Sequence, residues 1–399
     1  MPFFPGYEFD VYKRHSSYED VETIGEGGYV YSEPGMLGSA ETDDVASEHP
    51  SSIDEEDLFG PVYTENFRTI KNGRLAIKHD ELEYAKSILP EVVHKYINDI
   101  ESASDLANAM KTVINAVYGQ TCATYNCVFK DPRNKDNIVA KRGALFMIKL
   151  RLRVQNMGYQ VLHCKTDSIK IVNPTKEIRD FVNAYGKEFG YNFEVEHEFE
   201  KICLVDKANY IAKLTENDEE WIKACKKATK KSEEKGSPYI EPTRWTATGD
   251  KFSQPYVFKT LFSHEDTDIN DLSEVKSVKS ALYLDMNEGL PEGEHNYIFV
   301  GRVGQFVPVK DGCGGGELMR LSGYDENGNP KYAAAEGTKG WRWKETEVVK
   351  SLNQKEQINM DYWRQKIDDV IATLSEYGDV DRFLSDSPYE EFVAMNKPA

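Results

Sequence analysis

The chain lacks the features that mark secreted, membrane-embedded and zinc-stabilised proteins. Its six cysteines, at positions 122, 127, 164, 203, 225 and 313, include no Cys-x-x-Cys pair, so their spacing favours reduced core thiols over a zinc site or a disulfide framework. No hydrophobic run reaches the length of a membrane helix, and the opening Met-Pro-Phe-Phe-Pro-Gly-Tyr has neither the charged nor the apolar zone of a secretory signal. These absences predict an intracellular, cytoplasmic protein without a membrane partner.

An excess of positive charge is also absent, since the formal net charge of the 399 residues is -19 at pH 7. A negative sum argues against a nucleic-acid partner, because Lys and Arg neutralise phosphates. The charges are unevenly placed, however, and residues 130–153, the basic strip, hold eight Lys and Arg side chains against two Asp. This composition fits a polyanion in a groove as well as a solvated helix face, and both interpretations stay open. The length and the 40% hydrophobic composition predict two or three globular domains.

The middle of the chain contains a stretch that is typical of a β-hairpin. Two β-rich runs, at 159–164 and 169–172, flank the polar turn Lys165-Thr-Asp-Ser168 and present the carboxylate of Asp167 at its tip. A carboxylate in that position is well placed to hold a metal ion, but Thr-Asp-Ser is also ordinary turn chemistry. The stretch by itself leaves both interpretations open.

The clearest helix predicted from the sequence runs from Ser102 to Tyr118. An apolar stripe marks its buried face, while Lys111, Asn115 and Tyr118 follow each other at i, i+4 and i+7 on another face. A cation, an amide and an aromatic ring in one line form a set that suits the phosphate, sugar and base of a nucleotide. A surface lysine and a half-buried tyrosine would have the same spacing.

The remaining pattern predicts an α+β protein in which helices back an antiparallel sheet. Helical spacing recurs at 73–97, with a break at Pro90, and at 140–156, 175–189 and 345–392. Strand-like patterns occupy 191–214 and 237–309.

Five short motifs, taken in order, resemble those of the family B DNA polymerases, particularly the phage enzymes. Asp44-Val-Ala-Ser-Glu-His-Pro-Ser-Ser-Ile53 is similar to the first palm motif Asp-x-x-Ser-Leu-Tyr-Pro-Ser, and Lys111-Thr-Val-Ile-Asn-Ala-Val-Tyr-Gly119 to the fingers motif Lys-x-x-x-Asn-Ser-x-Tyr-Gly. Lys165-Thr-Asp-Ser168 resembles the second palm motif Asp-Thr-Asp-Ser, Gly27-Gly-Tyr-Val30 the Tyr-x-Gly-Gly region, and Lys207-Ala-Asn-Tyr210 the primer-contact motif Lys-Lys-x-Tyr. Together the motifs cover residues 25–213, which is about half the chain.

This resemblance implies an antiparallel palm sheet backed by helices, fingers built as a helical hairpin and a mixed C-terminal thumb region. The implied domains are an N-terminal segment with the first palm strand at 1–60, fingers at 61–120, palm at 121–236, and a palm extension with thumb at 237–399. The implied activity is template-directed DNA polymerisation, a nucleotidyl transfer from a dNTP to a primer 3′-hydroxyl. Phage replication in the cytoplasm of a bacterial host is the implied setting, with primer-template DNA and dNTPs as partners.

The resemblance also implies roles for individual residues. Asp44 and Asp167, with the backbone carbonyl of Val45, are implied as ligands of two Mg²⁺ ions, with Mn²⁺ as an alternative, because oxygen ligands suit a small hard cation. Lys111 is implied as the catalytic cation on the triphosphate. The residues implied to bind the nucleotide are Val45, Ser47, His49, Arg74, Lys78, Asn115 and Tyr118. The residues implied to bind DNA are Lys165, Lys207, Tyr210 and Lys213.

The chain departs from the family pattern at several positions. Glu41, Asp43 and Glu48 make the first motif polar where the family has buried apolar residues, so this strand is exposed, compensated by its neighbours or damaged. Lys165 stands where the family has its first hairpin aspartate, and His49 where the family has a tyrosine that blocks a ribose 2′-hydroxyl.

Two expectations follow from these departures and from the order of the motifs. The exonuclease domain that precedes the palm in the family is expected to be missing, with a separate exonuclease chain as a partner. The polar first strand motivates an alternative function, namely a degenerate polymerase-like protein that binds primer-template or a replication partner without catalysis.

Overall fold

The computed structural model describes residues 17–18, 22–25, 28–121, 123, 125–127, 129, 138–386 and 393–394. The strands in this part of the chain are β1 (Ser17–Tyr18), β2 (Glu22–Gly25), β3 (Gly28–Ser32), β4 (Gly35–Leu37), β5 (Ala40–Val45), β6 (Val161–Lys165), β7 (Ser168–Val172), β8 (Phe193–Leu204), β9 (Tyr210–Leu214), β10 (Trp245–Thr248), β11 (Glu274–Asp285), β12 (Tyr297–Val309), β13 (Glu317–Tyr324), β14 (Pro330–Ala334), β15 (Arg342–Glu345) and β16 (Val393–Ala394). The α-helices are α1 (Glu48–Glu55), α2 (Gly60–Lys78), α3 (Leu82–Ile88), α4 (Ile100–Thr121), α5 (Ile138–Asn156), α6 (Lys176–Glu188), α7 (Glu219–Lys235), α8 (Pro255–Phe258), α9 (Thr346–Ser351), α10 (Met360–Ser375) and α11 (Val380–Leu384). Helices and antiparallel sheets occur together throughout, and the predicted α+β class is confirmed.

The residue contacts divide the chain into two compact units. The first unit comprises Met1–Pro34, Gly38–Glu200 and Thr215–Ala224, and the second comprises Gly35–Leu37, Lys201–Leu214 and Cys225–Ala399. This division keeps the predicted fingers and most of the predicted palm in one unit, and the assignment of fingers, palm and thumb stays a prediction.

The first unit is built on an antiparallel sheet with the strand order β3-β6-β7-β5-β8. Side chains alternate between the two faces of a strand, so Ile169 and Ile171 of β7 point to one face and Ser168 and Lys170 to the other. Ile169 and Ile171 join a core with α5 and α6, through buried side chains such as Phe146. The second face is left to carry polar groups.

Helix α5 is buried along most of its length, and this burial corrects both interpretations for three residues of the basic strip, whereas Lys149 is half-buried and Arg153 is exposed. Lys141, Arg142 and Arg151 are each less than a tenth exposed. The Arg142 guanidinium donates to Glu56 Oε1 at 3.0 Å, and that of Arg151 lies 4.3 Å from the ring centroid of Tyr31. These cations stabilise the first unit from inside, so they line neither a groove nor a solvated face. Lys130, Arg133 and Lys135 of the strip lie outside the described residues.

Two long helices of the first unit, α2 and α4, pack on each other through apolar stripes that include Phe67 and Ile114. Helix α2 begins at Gly60, well before the spacing at 73–97 predicts, because Pro61 suits a first helical turn. The predicted break at Pro90 lies between α3 and a 3₁₀ segment at Glu91–Tyr96. Helix α4 continues through Gly119 to Thr121, three residues beyond the predicted end at Tyr118.

The second unit contains a five-stranded antiparallel sheet with the order β14-β13-β11-β12-β15. Its core is formed by large side chains that include Phe306, Trp343 and Trp363 of α10. Residues 237–309, predicted as strand-like, hold β10, β11 and β12 together with the short helix α8 and a π-helical turn at Lys259–Ser263. No helix among the described residues has both the length and the apolar character needed to span a membrane.

Candidate active site

Strand β5 and the β6–β7 hairpin bring Asp44 and Asp167 together. Asp44 lies opposite Ser168 in the ladder, and the backbone N–H of Val45 donates to the carbonyl of Asp167 at 2.9 Å. Lys165 and Ser168 pair as strand residues, so the turn is tighter than the predicted four-residue turn and consists of Thr166 and Asp167. The ladder thus fixes the two carboxylates at adjacent strand ends.

The hairpin tip is held from the side by β3. The N–H of Thr166 donates to the carbonyl of Tyr29 at 2.8 Å, and Thr166 itself has φ 57°. Gly28 approaches this residue with φ +108°, and a Cβ at position 28 would lie 3.4 Å from Thr166 Cγ2. Glycine is favoured here because L side chains rarely adopt this φ. Part of the Gly27-Gly-Tyr-Val30 motif therefore supports the turn that carries Asp167.

A cavity of about 1190 Å³ in the first unit opens over these strand ends. It is lined by ten of the residues that the sequence assigns to metal, catalysis or nucleotide, namely Asp44, Val45, Ser47, His49, Arg74, Lys78, Lys111, Asn115, Tyr118 and Asp167. These residues come from β5, α1, α2, α4 and the hairpin. The fold places all ten around one space, while their individual roles stay predictions.

Helices α2 and α4 supply three cations of the cavity, and Lys223 of α7 also lines it. Lys111 is exposed, and Arg74 Nη1 donates to Ser47 Oγ at 2.8 Å. Lys78 Nζ bonds to a carboxylate oxygen of Glu194, whose other oxygen lies 2.8 Å from His79 Nε2. Burial lowers the pKa of Arg74 from its usual value, although the Glu194 carboxylate acts in the opposite direction. Three cations of this kind suit a polyphosphate.

The two aspartates lie in an environment that disfavours their charged forms. Burial, then the nearby Asp167 and Glu196 carboxylates, raise the pKa of Asp44 to about 8. Burial and the Glu48 carboxylate raise the pKa of Asp167 to about 6. Lys170 lies on the same face of β7 as Ser168, the residue opposite Asp44, and burial lowers its pKa to about 8. A divalent cation would relieve the repulsion between the carboxylates, so their oxygens fit a hard metal ion.

The described residues contain no preformed group of three or more His, Cys, Asp or Glu side chains with metal-binding geometry. The predicted ligands, two carboxylates and the backbone carbonyl of Val45, stay a prediction, and the other ligands of a Mg²⁺ ion would then have to be water or phosphate.

We expect the stability of the metal-free protein to fall as the pH rises. Asp44 has a usual pKa of 3.8 and a pKa of about 8 in the fold, so between these values the folded state binds more protons than the unfolded state. The stabilisation is complete below the lower value and is lost as the pH rises through about 8. The thermal midpoint measured without Mg²⁺ should therefore decrease from about pH 6 to about pH 9.

Added Mg²⁺ should raise that midpoint more at about pH 9 than at about pH 6, since protons compete with the ion for Asp44. Asp44→Asn is the control, and we expect it to reduce both the pH dependence and the Mg²⁺ increment. An Mg²⁺ increment that is equal at both pH values would contradict a metal site at Asp44.

Two of the three unexpected carboxylates of the first motif, those of Glu41 and Glu48, are compensated by their neighbours. Glu41 is 2% exposed and accepts two hydrogen bonds from Arg179 Nε, at 2.9 and 3.0 Å. Glu48 is equally buried and accepts from Ser52 Oγ at 3.0 Å. Burial and the nearby Glu41 raise the pKa of Asp43 to about 7. Of the three states that the sequence left open for this strand, compensation by neighbours is observed for Glu41 and Glu48, whereas Oδ2 of the buried Asp43 has no hydrogen-bond partner among the described residues.

The four residues predicted to bind DNA are placed in both units. Lys165 is exposed at the end of β6 in the first unit, outside the lining of the cavity. Lys207 is exposed in the second unit, whereas Tyr210 and Lys213 are buried there. Lys213 Nζ lies 3.1 Å from Asp386 Oδ1. Their contacts with DNA stay predictions.

Sequence reasoning missed Glu194, Glu196 and Lys170. Glu194 lies opposite Asp44 on β8, and Glu196 falls at the register shift between Thr42 and Asp43. The alternation in Phe193-Glu-Val-Glu196 was the available signal, because period-two polarity places both glutamates on a strand. The pattern did not show which strand would pair with the strand that carries these two glutamates.

Comparison with solved structures gives a weak likeness. No family model matches the chain, and no curated protein matches it. The solved structure of the family B DNA polymerase from the hyperthermophilic archaeon Pyrobaculum calidifontis is similar over 92% of this chain and 48% of that chain, with 13% identity and a TM-score of 0.46. The chain thus spans about half the length of that polymerase. A likeness at this TM-score carries no weight for activity, which rests on the site.

Proposed function

We propose that this chain is a template-directed DNA polymerase of the family B type, which transfers a nucleotidyl group from a dNTP to a primer 3′-hydroxyl. One observation carries the proposal: residues from three separated motifs, around Asp44, Lys111 and Asp167, line the same cavity. Each motif alone is compatible with ordinary turn or helix chemistry. The structural roles of a turn or a helix do not explain why all three motifs lie around one cavity.

The carboxylates of Asp44 and Asp167 and the carbonyl of Val45 would hold divalent ions, Mg²⁺ by preference with Mn²⁺ as an alternative. The ions, when bound, supply Lewis-acid stabilisation of phosphoryl oxygens and lower the pKa of a primer hydroxyl. The protein contributes the fixed spacing of the two strand ends. It also contributes a partly buried setting in which electrostatic interactions are stronger than in water.

Lys111, Arg74 and Lys78 would bind the triphosphate and stabilise the negative charge that shifts toward pyrophosphate. Lys78 also bonds to Glu194, so its ammonium is held at the wall of the cavity before a nucleotide arrives. Asn115 and Tyr118 would line the nucleoside end of the pocket, together with His49, whose ring lies 4.3 Å from that of Tyr118. The phage setting, the DNA contacts and a separate exonuclease chain belong to the same proposal.

Primer extension tests the proposal. The full chain with Mg²⁺, four dNTPs and a primed template is expected to add nucleotides complementary to the template, and none when the template strand is left out. Primer-template that is bound, as measured by fluorescence anisotropy, but never extended would favour the non-catalytic alternative. A chain that neither binds nor extends the primer would contradict both.

A further inference from the structure

Glu48 and His49, at the start of α1, form a pair in which only His49 has a role in the proposed function above. His49 Nδ1 lies 2.9 Å from Glu48 Oε2. Glu48 is 2% exposed, whereas the His49 side chain is 24% exposed and lines the cavity. A buried carboxylate thus holds one edge of a ring that faces the proposed nucleotide site.

The carboxylate of Glu48 is itself fixed by a second set of contacts. Its Oε1 accepts from Ser52 Oγ at 3.0 Å, and Ser52 Oγ in turn lies 2.7 Å from the hydroxyl of Tyr191. Gly143 leaves the space that this carboxylate occupies, because a Cβ there would lie 2.2 Å from Glu48 Oε1. Glu48 Oε1 accepts from Ser52 Oγ and, at 3.4 Å, from the hydroxyl of Tyr191, so two hydroxyl groups hold this carboxylate oxygen in place.

Two contacts therefore determine the orientation of the His49 ring. The carboxylate of Glu48 accepts a hydrogen bond from Nδ1 of the ring. The ring also packs on that of Tyr118, with a centroid distance of 4.3 Å and an interplanar angle of 59°. A hydrogen bond at one imidazole nitrogen sets the role of the other. Nε2 is then the polar atom of the ring that remains for a ligand in the cavity.

Helix α4 indicates which part of a nucleotide this ring would meet. Lys111 and Tyr118 are seven residues apart, which corresponds to roughly 10 Å along a helix. If Lys111 binds the triphosphate, the end of the cavity at Tyr118 and His49 takes the nucleoside. A dNTP carries one free hydroxyl on its sugar, at the 3′ position.

We propose that Glu48 is a positioning residue that fixes the His49 ring, so that Nε2 forms a hydrogen bond with the 3′-hydroxyl of the dNTP sugar. This inference rests on the proposed function and goes beyond the steric exclusion that the family resemblance implies for position 49. The specificity of the site for a sugar with a 3′-hydroxyl then depends on a buried carboxylate that does not touch the nucleotide.

The test compares each dNTP with its 2′,3′-dideoxy analogue in single-nucleotide incorporation. The unmutated chain is expected to show a KM about tenfold lower for the dNTP, since one hydrogen bond is lost with the analogue. His49→Phe keeps the ring contact with Tyr118 and Glu48→Met keeps a buried side chain of similar size, and both should abolish the difference. Asp105→Asn is the control, because Asp105 is an exposed residue of α4 that does not line the cavity, and it should keep the difference.

Two further readouts separate the inference from the proposed function. Calorimetric binding of dNTP and dideoxy-dNTP to the chain with primer-template and Ca²⁺ requires no catalysis, and the same tenfold preference is expected there. Nitrogen-15 NMR should show that Nδ1 of His49 is protonated in the unmutated chain. The chemical shift of this nitrogen should change in Glu48→Met. Equal affinity for both nucleotides in the unmutated chain, or an unchanged preference in His49→Phe, would overturn the inference even if primer extension succeeds. Preference without extension would retain the inference and reject the polymerase.

Discussion

Asp44→Asn and Asp167→Asn are each expected to lower the rate of primer extension by about a thousandfold or more. Either substitution removes one negative charge from a pair of carboxylates proposed to hold the metal ions, and metal stabilisation of the transition state is worth several kcal/mol, with each 1.36 kcal/mol equal to a factor of about ten in rate. The backbone should not change, because Asp44 lies in the β5 ladder and Asp167 is held through its carbonyl by Val45. Steady-state primer extension with Mg²⁺ measures the effect.

Asp105→Asn is the matched control for this prediction. Asp105 is an exposed residue of α4 that does not line the cavity, so its loss of charge should change the extension rate by less than about twofold. Primer-template affinity should be retained in all three variants, as measured by fluorescence anisotropy. Extension that survives in both cavity variants would exclude the proposed metal ligands. A comparable loss in Asp105→Asn would point to a general effect of charge.

Arg179→Met is expected to destabilise the first unit by about 3 kcal/mol, the size of effect seen when one partner of a buried ion pair is removed. The substitution leaves the carboxylate of Glu41, which is 2% exposed, without the guanidinium that now donates to both of its oxygens. Arg179 is itself 40% exposed, so entry of water moderates the loss. Urea unfolding followed by circular dichroism, with hydrogen exchange of the β5 amides, measures the change.

Lys176→Met on the same helix is the control, since its partner Asp180 and Lys176 itself are both well exposed and such pairs contribute little. It should change the free energy of unfolding by less than about 0.5 kcal/mol. The double variant Glu41→Leu with Arg179→Met should recover most of the lost stability, because position 41 then no longer holds a buried charge without its partner. Equal effects of Arg179→Met and Lys176→Met would mean that Glu41 is not compensated by its arginine.

The prediction of local elements from the sequence succeeded where periodicity was strong. The face with Lys111, Asn115 and Tyr118 follows from a period of 3.6 residues, and the hairpin at Asp167 follows from β-rich runs around a polar turn. The limits of the elements were less well predicted. Helix α2 begins at Gly60, and the turn at Asp167 is shorter than its sequence indicates, because ladder pairing of Lys165 with Ser168 depends on the strands around them.

Burial was the property that the sequence pattern described least well. The basic strip has the composition of an exposed surface, yet Arg142 lies inside, where Glu56 and the ring of Tyr191 contact it. Glu41 of the first motif shows the converse. The sequence places its charge in a core strand, and its partner Arg179 comes from a helix well over a hundred positions away. Such a pair cannot be predicted from a short stretch of sequence, because its two residues lie far apart along the chain.

By itself the sequence determined the α+β class, the helix face of Lys111 and the turn that presents Asp167, because each depends on residues within one or two turns of the chain. Only the tertiary structure decided that Asp44 meets Asp167, that Glu196 and Lys170 lie beside them, and that Glu48 holds His49. Hydrogen-bonded register between distant strands sets these contacts, and burial sets the pKa of each carboxylate. Strand register and burial are properties of the packed chain, and the spacing of residues along the sequence predicts neither of them.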